Sequence, residues 1–288
     1  MVIALIKSLR PIQWTKNLLL FAGVVFSLNI LNFDYVLLSS AAFGIFCVIA
    51  SGGYIINDLF DLPADRRHPE KSKRPLAAGE LNPGIAGMYA GVLVVFGITA
   101  ALWLNRDFGL ICLFYFTVTF LYSIKLKNIV ILDVLIIAAG FVIRAIAGTV
   151  VIDVMLSKWL LICTIFLALF LALGKRLNEL NSSKENQSRT RKILTEYSPN
   201  LLIQLISIAA SSTVIAYTLY TVDDLTVEKF GTYNLVYTVP FVIYGIFRYM
   251  YLINIKNLGE YPEFVLFTDK STLINIILYL AVVFYILY

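Results

Sequence analysis

Asn57-Asp58-Leu59-Phe60-Asp61-Leu62-Pro63-Ala64-Asp65 closes a long apolar run and puts three carboxylates where the chain leaves it. Carboxylates held close together repel one another and are poorly solvated at a bilayer face. A divalent cation relieves both problems, and Mg²⁺ takes one or two carboxylates together with phosphate oxygens of a substrate. The stretch therefore predicts a membrane-embedded site for a diphosphate-bearing substrate, with Asp58, Asp61 and Asp65 as metal ligands. On a helix these positions are i, i+3 and i+7 and share one face. Pro63 argues against a continuous helix, so a helix end or kink is expected, with Asp65 on the turn.

The rest of the chain fits that setting. Of 288 residues, 60% are hydrophobic and 14% charged, and the mean hydropathy is +0.84. Soluble domains carry about a quarter charged residues, so a soluble globular class is excluded. Unbroken apolar runs such as 110–121 exclude the alternation of a β-barrel. The expected fold is all-α: a polytopic membrane protein in one helical domain over residues 1–288. Nine spans of about 20 apolar residues are expected. They lie near 14–32, 36–57, 84–104, 108–124, 129–150, 157–175, 199–222, 235–255 and 271–288. Residues 1–12 read as an amphipathic lead-in with Lys7 and Arg10 at the headgroup level. Ala22-Gly23 lies inside the first run, so no cleavable leader is expected. Cys47, Cys112 and Cys163 lie in apolar runs without paired spacing and read as small core residues.

The basic residues sort by side. Nineteen of the 23 lysines and arginines fall on one side of the nine spans, three on the other, and Arg144 lies within a span. The positive-inside rule places the crowded side, with the N-terminus and the aspartates, in the cytoplasm of a cell membrane.

Three constellations carry candidate chemistry. The aspartates are followed by a loop with Arg66, Arg67, Lys71, Lys73 and Arg74. Cations beside carboxylates suit a highly anionic substrate, the acids holding metal and the cations phosphate; the cations alone also fit a solvated loop obeying the positive-inside rule. Tyr122, Lys125 and Lys127 cap the fourth span. Asp133 and Arg144, eleven residues apart, share a face of the fifth. Ionisable groups inside a span are functional candidates. The alternative is structural, Asp133 bonding a neighbouring helix and Arg144 neutralising a buried acid. Lys175, Arg176 and Glu179 mark the exit of the sixth span, where Lys175 and Glu179 either pair at i, i+4 or flank a phosphate. The stretch 178–198 reads as a solvated loop, as do Glu260, Glu263 and Asp269. His68 is the lone histidine, with a surface role expected.

Asn57-Asp58-x-x-Asp61-x-x-x-Asp65 resembles the first aspartate-rich motif of the UbiA superfamily of intramembrane prenyltransferases. Further segments resemble its decaprenyl-phosphate phosphoribosyltransferase branch. They are Arg10-Pro-Ile-Gln-Trp14-Thr-Lys16-Asn17, His68-Pro69, Arg74-Pro75-Leu-Ala-Ala-Gly79, Ile143-Arg144-Ala-Ile-Ala-Gly148, Leu156-Ser-Lys-Trp159 and Gly174-Lys-Arg-x-x-Glu179. Together they run over nearly the whole chain. UbiA enzymes in general carry a second aspartate motif after the sixth span; here that position reads Lys-Arg-Leu-Asn-Glu. A basic site there suits a lipid monophosphate or sugar phosphate better than a second metal.

The resemblance implies a nine-transmembrane-helix bundle of UbiA type. It implies Mg²⁺ as cofactor, phosphoribosyl diphosphate as donor and a polyprenyl phosphate lipid as acceptor, with a product feeding cell-wall arabinan or another glycolipid. Asn57, Asp58, Asp61 and Asp65 would then be the catalytic set, with Asp58, Asp61 and Asp65 holding the metal. Lys16, Arg67, Lys71, Arg74, Tyr122, Lys127, Asp133, Arg144, Lys175, Arg176 and Glu179 would line the substrates. Two other readings stand beside it: prenyl transfer from a prenyl diphosphate to an aromatic acceptor, and transport of an anionic lipid. No nucleic-acid partner is expected, and a homo-oligomer is left open.

Overall fold

The computed structural model describes residues 2–67, 70–155, 157–186, 192–256 and 268–287. His68, Glu260 and Glu263 lie outside this set. Every regular element among the described residues is helical, and eight helices are long and apolar enough to cross a membrane. The chain packs as two compact units, residues 1–155 with 186–193, and 156–185 with 194–288.

The first unit begins with α1 (Val2–Ser8), a 3₁₀ helix (Pro11–Phe21) and α2 (Ala22–Phe26). A continuous span over 14–32 was expected, but the helix ends at Phe26. Laid end to end, eleven residues of 3₁₀ and five of α-helix would give about 30 Å, because the 3₁₀ form rises about 2.0 Å per residue. That matches the hydrocarbon thickness of about 30 Å. Four long helices follow: α3 (Phe33–Asp65), α4 (Pro83–Leu104), α5 (Arg106–Ile124) and α6 (Leu132–Val151). Their starts are written locally. Asn32, Asn82 and Asn105 each accept a backbone N–H of the first turn, and Pro83 occupies the first position of α4, where no donor is needed.

Phe46, Ile49, Phe108, Cys112 and Tyr115 form the main core of this unit, and Leu20 and Val24 of the N-terminal segment join it. Outward-facing Met88, Val92, Val95, Phe96 and Trp103 give α4 an exposed apolar side. Such a surface is stable against lipid and not against water. Close approach depends on glycine at one place in particular. A Cβ on Gly148 would sit 2.1 Å from the Leu20 carbonyl oxygen and 2.6 Å from Leu20 Cα. Gly148→Ala is therefore expected to push the 3₁₀ helix off α6 at a cost of about 1–3 kcal/mol. A lowered Tm in detergent checks this; an unchanged Tm contradicts it.

The second unit contains α7 (Lys158–Asn186), α8 (Pro199–Val222), the short α9 (Asp224–Phe230), α10 (Val239–Lys256) and α11 (Lys270–Leu287). Helix α7 runs eleven residues past the expected span end. Leu173, Leu177 and Leu180 recur at helical spacing and are buried, so the stretch after Lys175 has an inner face that a purely solvated loop lacks. Beyond it Leu194 and Tyr197 are also buried. Asp269 likewise departs from the loop expectation. It accepts from Arg248 Nε at 3.0 Å and Nη2 at 2.7 Å, and from the Thr272 backbone at 2.9 Å. The Arg248 hydrogen bond holds its carboxyl well below the usual carboxylate range. Tyr217 bridges Thr238 (2.7 Å) and Tyr279 (3.1 Å) in the same unit. The three cysteines are buried and free.

Candidate functional site

Helix α3 carries the acids, and it does not stop at Pro63. It continues to Asp65, with Arg66 N–H bonded to the Leu62 carbonyl at 3.2 Å. A proline one turn from a C-terminus removes a single ladder bond, and the docking of Asp65 described next holds that turn. The helical register then sorts the three carboxylates. Asp58 and Asp65, seven residues apart, return to within about 20° of each other, while Asp61 lies about 60° round the helix.

One guanidinium serves the aligned pair. Arg74 Nη1 donates to Asp58 Oδ1 at 3.0 Å and to Asp65 Oδ2 at 2.6 Å. The loop offering Arg74 is fixed by its own sequence. Leu76 and Leu81 are buried against Ala4, Ile55 and Ala86, and Gly79 takes a left-handed φ of 77° that allows the turn. Asp61 turns to a different element. Lys127 Nζ, from the turn between α5 and α6, donates to Asp61 Oδ1 at 2.5 Å, and Asn57 Nδ2 donates to its other oxygen at 3.1 Å. Lys127 is 7% exposed. Ile131, in the same turn, has φ 68°, a real outlier for a β-branched residue. Strained backbone of this kind persists where surrounding structure over-determines it.

Asp58 has a second cation, Arg10, which sequence reasoning placed at the headgroups rather than in the site. Asp58 is only 4% exposed. Arg10 has φ 53° and ψ 62°, unusual for a non-glycine and doubly so before a proline. The 3₁₀ helix that follows is pinned from several sides. Trp14 Nε1 donates to Ser51 Oγ at 3.0 Å, Ser51 donates to the Leu9 carbonyl at 3.0 Å, and Asn17 Nδ2 contacts Cys47 Sγ at 3.1 Å. The sequence signals for Arg10 are its place immediately before Pro11, ahead of the first apolar run, and its position at the head of the segment Arg10–Asn17 that carries the resemblance.

The remaining candidates divide. Lys16 bonds Gln13 within the 3₁₀ helix. Arg67 is exposed and folds back on the Pro63 carbonyl at 3.1 Å. Lys71 lies in the short turn Lys71–Lys73 before Arg74. Tyr122 is half-buried in the last turn of α5. Asp133 is fully buried in the first turn of α6, where the helix dipole favours a negative charge. Arg144 is 5% exposed and bonds Asn17, Gly140 and Tyr115. Among the described residues it has no carboxylate partner, so neutralising a buried acid is not its role. In the second unit Arg176 is 2% exposed and is ion-paired with Glu179.

Among the described residues, no three acidic, histidine or cysteine side chains converge on one point. The three aspartates are therefore arranged as two stations: Asp58 with Asp65 on Arg74, and Asp61 on Lys127. The donor chemistry still fits a hard cation. All the ligand atoms on offer are oxygens, as Mg²⁺ requires. Beside Asp61, the Asn57 Oδ1 atom is buried and has no hydrogen-bond partner. A buried acceptor without a donor is costly, and a cation would satisfy it.

Comparison with known proteins shows the family. The UbiA prenyltransferase family model matches residues 17–271. The chain is 36% identical over 281 residues to the decaprenyl-phosphate phosphoribosyltransferase of Mycolicibacterium smegmatis, spanning 94% of this chain and 88% of that one. It is 33% identical over 271 residues to the protein of the same name from Corynebacterium glutamicum, spanning 92% and 81%. A UbiA homolog from Archaeoglobus fulgidus, solved with GPP and Mg²⁺, shares the fold with a TM-score of 0.73 over 99% of both chains at 21% identity. The all-helical, multi-pass architecture and the motifs along the chain thus have one common explanation: the protein belongs to the UbiA prenyltransferase family.

Proposed function

We propose that the protein transfers a 5-phosphoribosyl group from phosphoribosyl diphosphate to a polyprenyl phosphate and releases pyrophosphate. The observation that carries this is the interleaving of acids and cations in the first unit. Asp58, Asp61 and Asp65 alternate with Arg10, Arg74 and Lys127, which suits a substrate carrying several phosphates. Relatives named decaprenyl-phosphate phosphoribosyltransferase, 33–36% identical over most of the chain, support the choice of donor and acceptor.

Asp58 with Asp65 at one station, and Asp61 with Asn57 Oδ1 at the other, would offer oxygens to Mg²⁺, whose charge stabilises a departing diphosphate. Arg74, Lys71, Arg10 and, from its place on Asp61, Lys127 bind donor phosphate oxygens, and Tyr122 binds the 5-phosphate or the lipid phosphate. At ribose C1 the bond to the diphosphate oxygen breaks and a bond to a lipid phosphate oxygen forms; the electron pair leaves with pyrophosphate. That nucleophile is already anionic at neutral pH, so no protein base is needed. The cations lower the repulsion between two anionic substrates. The lysine and arginine asymmetry supports a site at the cytoplasmic face.

Purified protein in nanodiscs, given Mg²⁺, polyprenyl phosphate and labelled phosphoribosyl diphosphate, is expected to yield a phosphoribosylated lipid of the matching mass. Prenylation of an aromatic acceptor from labelled prenyl diphosphate, with no pentosyl product, would overturn the assignment.

A further inference from the structure

The ion pairs of the first unit bear on how ligands enter. Among the described residues, Asp58 pairs with Arg10 and Arg74, Asp65 with Arg74, and Asp61 with Lys127. The carboxylates and Lys127 are largely shielded from water; the arginine side chains are about a quarter exposed, at 24% and 26%. A divalent cation arriving alone must take carboxylate oxygens from these partners and leave shielded positive charge uncompensated, which is unfavourable. A diphosphate arriving alone draws the cations away and leaves the carboxylates uncompensated. Arriving together, metal and diphosphate exchange partners with the site: the acids turn to the metal and the cations to the phosphates, and every charge stays paired.

On this basis, and resting on the diphosphate reading above, we propose that Arg10, Arg74 and Lys127 act as internal counter-ions that make metal and diphosphate binding mutually dependent. Arg10 is the member built for the exchange. It is partly exposed, while Asp58 beneath it is not. Its backbone is held left-handed at the head of a 3₁₀ helix pinned by Trp14 and Asn17, so only the side chain has to move. Coupling between two ligands is reciprocal, so each raises the other's affinity by the same factor.

The test counts both ligands on one sample. Full-length protein in nanodiscs is filtered with Mn²⁺ alone, with labelled inorganic pyrophosphate alone, and with both. For the wild type, retention of each is expected to strengthen about tenfold or more in the presence of the other, within the usual range of such couplings. Arg10→Gln removes the competitor for Asp58, so Mn²⁺ alone is expected to bind several-fold tighter and the coupling factor to shrink. Arg10→Lys keeps the charge and is expected to keep the coupling. If Arg10→Gln does not fold, as judged by its unfolding transition, Lys127→Gln gives the same test at Asp61. A coupling factor unchanged by either neutral variant, or weaker binding of Mn²⁺ alone, overturns the counter-ion role while leaving the diphosphate reading intact. A wild type that retains neither ligand under any condition overturns both.

Discussion

Asp58→Asn is expected to reduce phosphoribosyl transfer by about 10²–10³-fold while the protein still folds, the scale seen when one preorganised charge-stabilising group is lost. Asparagine has the same shape as aspartate but no charge. At this position the loss falls on two cations, Arg10 and Arg74. Arg74 keeps Asp65 at 2.6 Å, and both arginine side chains reach solvent, so the structural cost is set by weakened charged hydrogen bonds at about 1–3 kcal/mol. Stability and turnover are thereby separable. Transfer measured on purified protein in nanodiscs should collapse while the unfolding transition moves only modestly. Glu70→Gln is the control. Glu70 is also acidic and close in sequence, but it is exposed and pairs with Lys73 at the surface, where such pairs contribute little. Its activity should equal the wild type. Asp58→Asn turnover within threefold of wild type, in folded protein, would remove the aspartate from the site.

What the sequence disclosed and what it hid have separate physical causes. The long helices were legible because apolar runs of membrane length have one stable outcome in lipid. The asparagine caps and Pro83 fixed helix starts locally. Helical periodicity aligns Asp58 with Asp65, but only if the helix survives Pro63, and it does not disclose that Asp61 turns instead to Lys127. Survival depends on the Arg74–Asp65 contact, which sequence spacing does not encode. Arg10 was missed for a related reason. Its apparent role as a headgroup anchor rests on its neighbours in sequence, whereas its actual partner is 48 residues away. The end of α7 was misplaced because Lys175, Arg176 and Glu179 look like a solvated exit. Leu177 and Leu180 continue the buried stripe beneath them.

Arg144→Met is expected to destabilise the first unit by about 2–4 kcal/mol. Two sequence-level roles stood open for Arg144, a substrate contact and a partner for a buried acid, and the structure supplies a third. Its guanidinium donates to Asn17 Oδ1 at 2.7 Å, to Tyr115 OH at 2.7 Å and to the Gly140 carbonyl at 2.6 Å. It also lies over the rings of Tyr115 and Phe46, 4.8 and 5.4 Å from their centres. One side chain thus ties the N-terminal 3₁₀ helix to α5 and α6. Methionine fills similar space but leaves Asn17 Oδ1 and Tyr115 OH without a donor, each such loss costing about 1.5–3 kcal/mol. Relief of one buried charge offsets part of that. Arg144→Lys separates charge from geometry. An ammonium keeps the positive charge but cannot reproduce the planar fork that reaches three acceptors, so its unfolding transition should fall nearly as far as that of the methionine variant. Because Asn17 anchors the helix headed by Arg10, both variants should also raise the donor KM more than they lower kcat. A lysine variant as stable and as active as the wild type would mean that charge alone matters at this position, and Arg144 would then return to the list of substrate contacts.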